Sequence, residues 1–514
     1  MYLTQGLHRA VQQRPGALAT VCGERTRTHA ESVDRIARLA GALRSLGVAD
    51  GDRAAIVALN SDRYHEYLAA TLWAGGVLVP VNSRWTVPEI ADSLAEVGAQ
   101  VLAVDDVFAP IVPALRQALP GLRSVVSIGD GPTPEGALAV EDLVSVSEPV
   151  DDVRRGGDDL AGVFYTGGTT GRAKGVMLSH RNLLTAIMGG AAVAEPRLES
   201  TYLHAAPMFH LADFAMWVTE VVAGGTHVTI PAFDPLAVLA AVQEHRVTDL
   251  LLVPTMLQLV VDHPRIDDFD LTSVRQVLYG ASPMSDALLG RVMKTLPNAR
   301  FMQAYGMTEL APSATILTAA DHEDPRHRRS VGRAAYHTEV RVVGPDDAEL
   351  PRGAVGEIVV RGGNVMLGYW NRPEATAAAL RGGWMHTGDA GWMDDEGYVY
   401  LTDRLKDMII TGGENVYSVE VESTLAQHPA VATCAVIGVP DETWGERVHA
   451  VVVPVPGATP TLAELHDFCV ERIAGFKIPK SVELVEALPL SAAGKVLKRE
   501  LRKPYWEGHE RAVH

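Results

Sequence analysis

The sequence predicts an α/β protein of more than one domain, with a β-rich subdomain and a small α+β domain at its C-terminal end. Three observations lead there. The chain has 514 residues, too many for a single hydrophobic core. Helix-period and strand-like segments alternate as far as about Val331, the pattern of parallel strands covered by helices. Beyond it, short strands separated by Gly, Pro and Asp turns replace the alternation. The expected division is a large N-terminal domain of α/β layers over 1–403, its β-rich subdomain at about 331–403, and a C-terminal domain over 404–514.

Taken in order, Ala30 to Leu46 carries Val33, Ile36, Leu39, Ala40, Leu43 and Leu46 at helical spacing and stops at Gly47. Arg53 to Leu59 then reads as a strand, Tyr64 to Trp73 as a helix, and Val77 to Val79 as a strand. A turn-rich loop follows at Asp130 to Gly136. Leu160 to Phe164 and Val176 to Leu178 read as strands on either side of a glycine-rich segment, and Ser179 is positioned to cap a helix. Thr226 to Ile230, Leu250 to Val253 and Ser273 to Tyr279 are strands; Pro235 to Glu244 is a helix. In the β-rich subdomain the strands are Glu339 to Val343, Gly356 to Arg361 and Tyr398 to Leu401. In the C-terminal domain, Val431 to Val439, Arg447 to Val453 and Ser481 to Val485 are strands, and a capping box at Thr461 and Glu464 opens a helix through Ile473.

Lys and Arg number 45 against 63 Asp and Glu, a net charge of −18 that argues against a nucleic-acid surface. Three dispersed cysteines, Cys22, Cys434 and Cys469, form neither a disulfide framework nor a zinc spacing, which suits the cytoplasm. The first residues lack the apolar run of a secretory signal. The stretch Leu68 to Val81, with Thr71, Gly75, Gly76 and Pro80, is too short to span a bilayer. A homodimer is left open.

Five segments carry chemistry. The first, Tyr165-Thr166-Gly167-Gly168-Thr169-Thr170-Gly171-Arg172-Ala173-Lys174-Gly175, is dense in backbone and hydroxyl donors, and its glycines allow a close wrap around an anion. It lies between two strands and has Gly175 after the lysine, so it is not the P-loop of nucleotide hydrolases. The second, Gln303-Ala304-Tyr305-Gly306-Met307-Thr308-Glu309, supplies a stacking face, a hydroxyl and a carboxylate; read alone it is a turn with a solvated glutamate. In the third, Met385-His386-Thr387-Gly388-Asp389, the aspartate can accept from both hydroxyls of a ribose, or simply sit in a turn. Gly412-Gly413-Glu414-Asn415 and Gly494-Lys495 complete the set, and each alone passes for a glycine turn beside solvated charge.

In this order and at these separations, the five segments resemble the adenylate-forming superfamily of acyl-CoA synthetases, luciferases and peptide-synthetase adenylation domains. The resemblance runs from Arg53 to Lys498 and is most similar to bacterial fatty or aryl acid–CoA ligases. Two departures occur: Gly167 replaces the usual serine and Ala173 the usual proline. The resemblance implies that an acid and ATP give an acyl-adenylate and pyrophosphate, and that coenzyme A then takes the acyl group and releases AMP. An amine or amino acid acceptor, giving an amide, is the alternative.

By the same resemblance Thr166, Gly167, Gly168, Thr169, Thr170, Gly171 and Lys174 enclose phosphate, and Glu309 with Thr170 holds Mg²⁺. Tyr305 stacks on adenine with Gly280, Ala281 and Ser282 along its edge, Gln303, Ala304, Gly306 and Thr308 also bind ATP, and Asp389 and Arg404 grip the ribose. Lys495 is the adenylation lysine, and Thr308, Glu309 and His210 complete the catalytic group. The acyl pocket comprises His210, Leu211, Phe214, Trp217, Gly280, Gly306, Met307 and Ala311, although His210 is equally a core histidine. Gly412, Gly413, Glu414 and Lys477 belong to a CoA tunnel. The C-terminal domain is mobile about a hinge at 404–407, with Lys406 as pivot. His322, His327 and the acids around them read as a solvated loop, with no metal site.

Overall fold

A computed structural model describes the chain apart from residues 167–172, 195–198, 283, 405–406, 413, 442, 492–494 and 508–514; the side chains of 194, 403 and 404 are likewise undescribed. Gly167, Gly168, Thr169, Thr170, Gly171, Lys406 and Gly413 therefore lie outside the described residues, as does the Arg404 side chain.

The described residues form a mixed α/β protein with a large N-terminal and a smaller C-terminal domain. A nine-stranded sheet runs from Arg333–Ala334 through Thr315–Leu317, Arg300–Tyr305, Gln276–Gly280, Asp249–Leu251, Thr201–His204 and Thr226–Thr229 to an N-terminal hairpin, Leu18–Cys22 and Arg25–Thr28. An eight-stranded sheet is ordered Gly368–Tyr369, Lys174–Ser179, Leu160–Thr166, Val77–Pro80, Arg53–Val57, Val101–Val104, Ser124–Ser127 and Leu138–Ala139. The β-rich subdomain is an antiparallel sheet of Thr338–Val343, Gly356–Gly362, Met385–Met393 and Val399–Arg404. The C-terminal domain holds a separate sheet centred on Val431–Asp441 and Gly445–Pro454, with its own core around Val436, Val448, Leu465 and Ile478.

The helix Asp62–Trp73 is buried at every position. A fully buried helix containing Asp62, Arg63 and Glu66 needs its charges paired, because an isolated buried ion carries a large desolvation cost. Arg25 meets Asp62 at 2.9 Å, Arg27 and Arg35 meet Glu66 at 2.8 and 2.7 Å, and Arg63 meets Glu141 at 2.9 Å. The Ser61 hydroxyl caps the first turn by accepting from Tyr64 N–H at 3.0 Å.

Beside this helix lies a buried imidazole cluster. The Trp217 indole donates to His65 Nδ1 at 2.8 Å, the His65 and His227 rings are 4.6 Å apart, and His227 meets His204 at 3.0 Å. Burial holds His65 near a pKa of about 3 and pushes His227 well below the ordinary imidazole value. Neutral in the fold and ordinary when unfolded, these groups bind more protons in the unfolded chain below about pH 6.5. Stability is therefore expected to fall as pH falls, by about 2 kcal/mol between pH 7 and 5 for His65 alone. Glu220, held up to about 8 by burial, works in the opposite sense, but it is one group against several. Urea-unfolding midpoints at the two pH values measure the difference; an equal or higher midpoint at pH 5 excludes neutral burial.

Sequence and structure differ in several places. The helix opened by the Thr461 capping box ends at Val470, short of Ile473, when the chain folds back and the Glu471 N–H bonds to Cys469 O. The segment at His322 is a capped helix, Ala319–Glu323, not a solvated loop. His322, Asp321 and His327 are buried, because the Tyr279 hydroxyl meets His322 Nε2 at 2.8 Å and the Tyr398 hydroxyl donates to Asp321 at 2.6 Å. Among the described residues no group of three or more His, Cys, Asp or Glu could hold a metal, and no helix is long and apolar enough to cross a membrane.

Candidate active site

The glycine-rich segment interrupts an antiparallel pair. Strand Leu160–Thr166 lies against Lys174–Ser179 with Thr166 opposite Lys174, and the Thr166 hydroxyl donates to Lys174 O at 3.4 Å. The second strand runs directly into helix His180–Ala194, capped as expected: Asn182 N–H donates to Ser179 Oγ at 3.1 Å. The two ends of the loop are thus fixed inside the eight-stranded sheet.

Lys174 points toward the second motif. Its ammonium lies 4.7 Å from the centroid of the Tyr369 ring, and the Tyr369 hydroxyl donates to Glu309 Oε1 at 2.8 Å. Glu309 is buried in the single 3₁₀ turn Thr308–Leu310, just after strand Arg300–Tyr305. The turn is tied down by Met366 N–H on Glu309 O at 2.9 Å and by the Asn364 amide on Leu310 O at 2.8 Å. A buried carboxylate held in this way suits a hard cation that takes most of its oxygens from phosphate and water.

The third motif joins the second directly. The Tyr305 hydroxyl donates to Asp389 Oδ2 at 2.8 Å, and both residues are buried. Asp389 sits in strand Met385–Met393, opposite Arg404, and not in a turn; the Thr387 hydroxyl bonds to Ile358 O at 2.7 Å across the sheet. Gly280 ends the strand beside Arg300–Tyr305 and Ala281 and Ser282 follow it, at the carboxyl end where open α/β sheets bind ligands. A Cβ at Gly280 would stand 2.3 Å from Ala304 O, and one at Gly306 would stand 2.0 Å from Pro312 O. Backbone packing alone therefore demands glycine at both positions. Gln303 is buried beside the Tyr279 hydroxyl, and Ala304 stays half-buried.

His210 is the N-cap of helix Leu211–Ala223, with Nδ1 accepting from Ala212 N–H at 3.3 Å. Burial first, then the charge of Lys495, lowers its pKa to about 4. A lysine charge from the C-terminal domain is thus felt at the large domain's imidazole. Around Lys495, Leu490 bridges Val496 and Ser491 N–H donates to Lys495 O at 2.7 Å. From the large domain, the Arg84 guanidinium donates to Ser491 O at 3.1 Å.

The expected acyl residues divide. Met307 is half-buried and Ala311 fully buried near the Gly306 turn, and Leu211 is buried under His210. Phe214 and Trp217 lie deep in the main core: Phe214 packs 4.8 Å from Phe164, and Trp217 is held by His65. In the fourth motif, Gly412 turns at φ +59° with its N–H on Trp444 O at 2.8 Å, Glu414 is exposed, and Lys477 pairs with Glu420 at 2.7 Å. The sequence reading passed over two residues: Tyr369, which joins the first motif to the second, and Arg84, which ties the large domain to Ser491. An aromatic pair, Tyr369-Trp370, between Gly368 and the helix-opening Pro373 was the available signal for the first; nothing local marks the second.

Residues 7–370 match the family described as AMP-binding enzyme, and residues 420–495 match the AMP-binding enzyme C-terminal domain. The chain is 43% identical over 498 residues to a feruloyl-CoA synthase from an Amycolatopsis species, covering 97% of this chain and 98% of that protein. Among solved structures, ATP-bound MatB from Rhodopseudomonas palustris superposes with a TM-score of 0.89 at 32% identity, over 99% of this chain and 100% of that one. The amide bond synthetase McbA from Marinactinospora thermotolerans gives 0.88 at 31%, over 98% and 100%.

Proposed function

We propose that this chain, which belongs to the AMP-binding enzyme family, joins a fatty or aryl monocarboxylic acid to coenzyme A at the site just described. It is an AMP-forming acid–CoA ligase, and enzymes of this kind use ATP and CoA. The observation that supports this reading of the site is the chain of contacts through which Lys174 faces Tyr369, Tyr369 bonds Glu309 and Tyr305 bonds Asp389, since it brings the first three motifs together.

In the first step a carboxylate attacks the α-phosphate of ATP, so two anions must meet and the developing charge must be neutralised. Lys174 with the loop residues Thr166 to Gly171 would hold the outer phosphates, Tyr305 would stack on adenine, and Asp389 with Arg404 would take the ribose. Glu309 and Thr170 would hold Mg²⁺, which supplies positive charge to the phosphate oxygens when bound. Lys495 would touch both the entering carboxylate and the α-phosphate. His210, neutral at ordinary pH, would stand at the acyl entrance without drawing the carboxylate away from Lys495.

For the second step, residues 404–514 would turn about Lys406 as one lobe against 1–403, withdrawing Lys495 and bringing in Gly412 to Glu414 and Lys477 for the CoA thiol. Likeness to a feruloyl-CoA synthase and the apolar set Leu211, Met307 and Ala311 support an aryl acid as the first to test. Free Cys22, Cys434 and Cys469 suit the cytoplasm as its compartment. A homodimer is a reading for sedimentation to test. A second reading, capture of the adenylate by an amine, is favoured by the likeness to McbA.

The experiment offers ATP, Mg²⁺ and a panel of cinnamic, benzoic and medium-chain acids, with either CoA or amino acids, and detects products by mass. A thioester with matching AMP is expected. Amide formation with no thioester selects the second reading, and the absence of pyrophosphate release with every acid overturns both.

A further inference from the structure

We propose that Tyr369 is a positioning residue that sets the Glu309 carboxylate and the Lys174 ammonium at a fixed separation before nucleotide arrives. This rests on the reading of Glu309 as magnesium ligand and Lys174 as phosphate contact. One side chain serves two opposite charges through two different parts. The hydroxyl donates to Glu309 Oε1 at 2.8 Å, while the ring faces the Lys174 ammonium at 4.7 Å from its centroid. A phenol keeps its proton throughout the neutral range, so the hydroxyl remains a donor.

The segment carrying Tyr369 is built to be still. Gly368 and Tyr369 pair with Met177 and Val176, and Trp370 N–H donates to Gly175 O at 2.8 Å, so the segment lies on the strand that leaves the glycine loop. Met366 N–H holds Glu309 O, so the same segment also grips the backbone of the carboxylate residue. Tyr369 N–H is taken by the Thr376 hydroxyl at 2.9 Å. On its far side the Trp370 indole donates to Glu96 O at 2.9 Å and Arg372 pairs with Glu96 at 2.8 Å. Phosphate lysine and metal carboxylate come from different sheets, and this short segment is the physical bridge between them. Direct collapse of the cation onto the carboxylate would block both; an aromatic spacer with a terminal donor holds each in use.

The test measures ATP binding by calorimetry, without acid, across a Mg²⁺ titration and again in EDTA, for the intact protein and for Tyr369→Phe, Tyr369→Leu and Glu309→Gln. Loss of an outer partner of a metal ligand typically weakens metal binding at least about tenfold, so Tyr369→Phe is expected to need about ten times more Mg²⁺. It keeps its affinity in EDTA, because the ring still faces Lys174. Tyr369→Leu also loses the ring and is expected to drop about threefold in EDTA. If Glu309→Gln raises the Mg²⁺ requirement and Tyr369→Phe does not, Tyr369 has no positioning role while Glu309 keeps its own. If neither raises it, the reading of Glu309 fails and takes this proposal with it. Lower melting temperatures for both tyrosine variants with an unchanged Mg²⁺ requirement make Tyr369 a packing residue and overturn the proposal.

Discussion

Replacing Lys495 by alanine is expected to slow acyl-adenylate formation about a thousandfold, the usual scale for removing a group that meets charge developing in a transition state. Thioester formation from synthetic acyl-adenylate and CoA should remain near the level of the unaltered protein, because the lysine would have left the site by then. The contrast between the half-reactions is the point: a residue needed only for folding would depress both. His210 offers an independent readout. Its imidazole is lowered to about 4 first by burial and then by the Lys495 charge, so Lys495→Ala should let its titration midpoint rise toward the ordinary value. An unchanged midpoint, measured by NMR, would remove the lysine from the imidazole's neighbourhood.

Lys406→Pro is expected to show the reverse pattern. Proline locks φ near −65° and removes one soft torsion from the linker. The lobe could then dock for adenylation but not rotate, and thiol transfer should fall by about a hundredfold, since misplacement by an ångström at a reacting centre costs that much. Pyrophosphate exchange with ATP and acid should continue. Equal loss of both half-reactions in both variants would mean that no rotation separates them.

Much of the fold was legible because it is written locally. The hairpin around the glycine loop, the Ser179 cap, the Thr461 capping box and the β-rich subdomain all follow from periodicity and turn chemistry over a few residues. What stayed hidden depends on partners far along the chain. Leu18–Cys22 is a strand because Thr226–Thr229 lies beside it in parallel. Asp389 looks like a turn residue after Thr387-Gly388, yet strands on both sides pair with its segment. His322, set among acids, looks solvated until Tyr279 and Tyr398 arrive to cover it and its neighbour. The site divides in the same way. Glu309, Tyr305, Asp389 and Lys174 were nameable from their motifs, but the hydroxyl and the ring that join two of them belong to Tyr369, in a segment that pairs with a strand from much earlier in the sequence. Phe214 and Trp217, named for the acyl pocket, lie in the main core against Phe164 and His65, partners far from them in the sequence.

Asp389 lies opposite Arg404 in the ladder, and on the proposed reading that register would have a mechanical meaning. Arg404 is the final residue of its strand, and on the proposed reading the hinge to the smaller lobe begins there. A sugar gripped by this pair would therefore pull on the last rung of the ladder, and the direction in which the polypeptide exits would depend on whether that rung is loaded. A deoxyribose, offering one hydroxyl fewer, would weaken the grip and loosen the exit together. Selectivity for the sugar and the timing of the lobe's swing would then be set at the same rung.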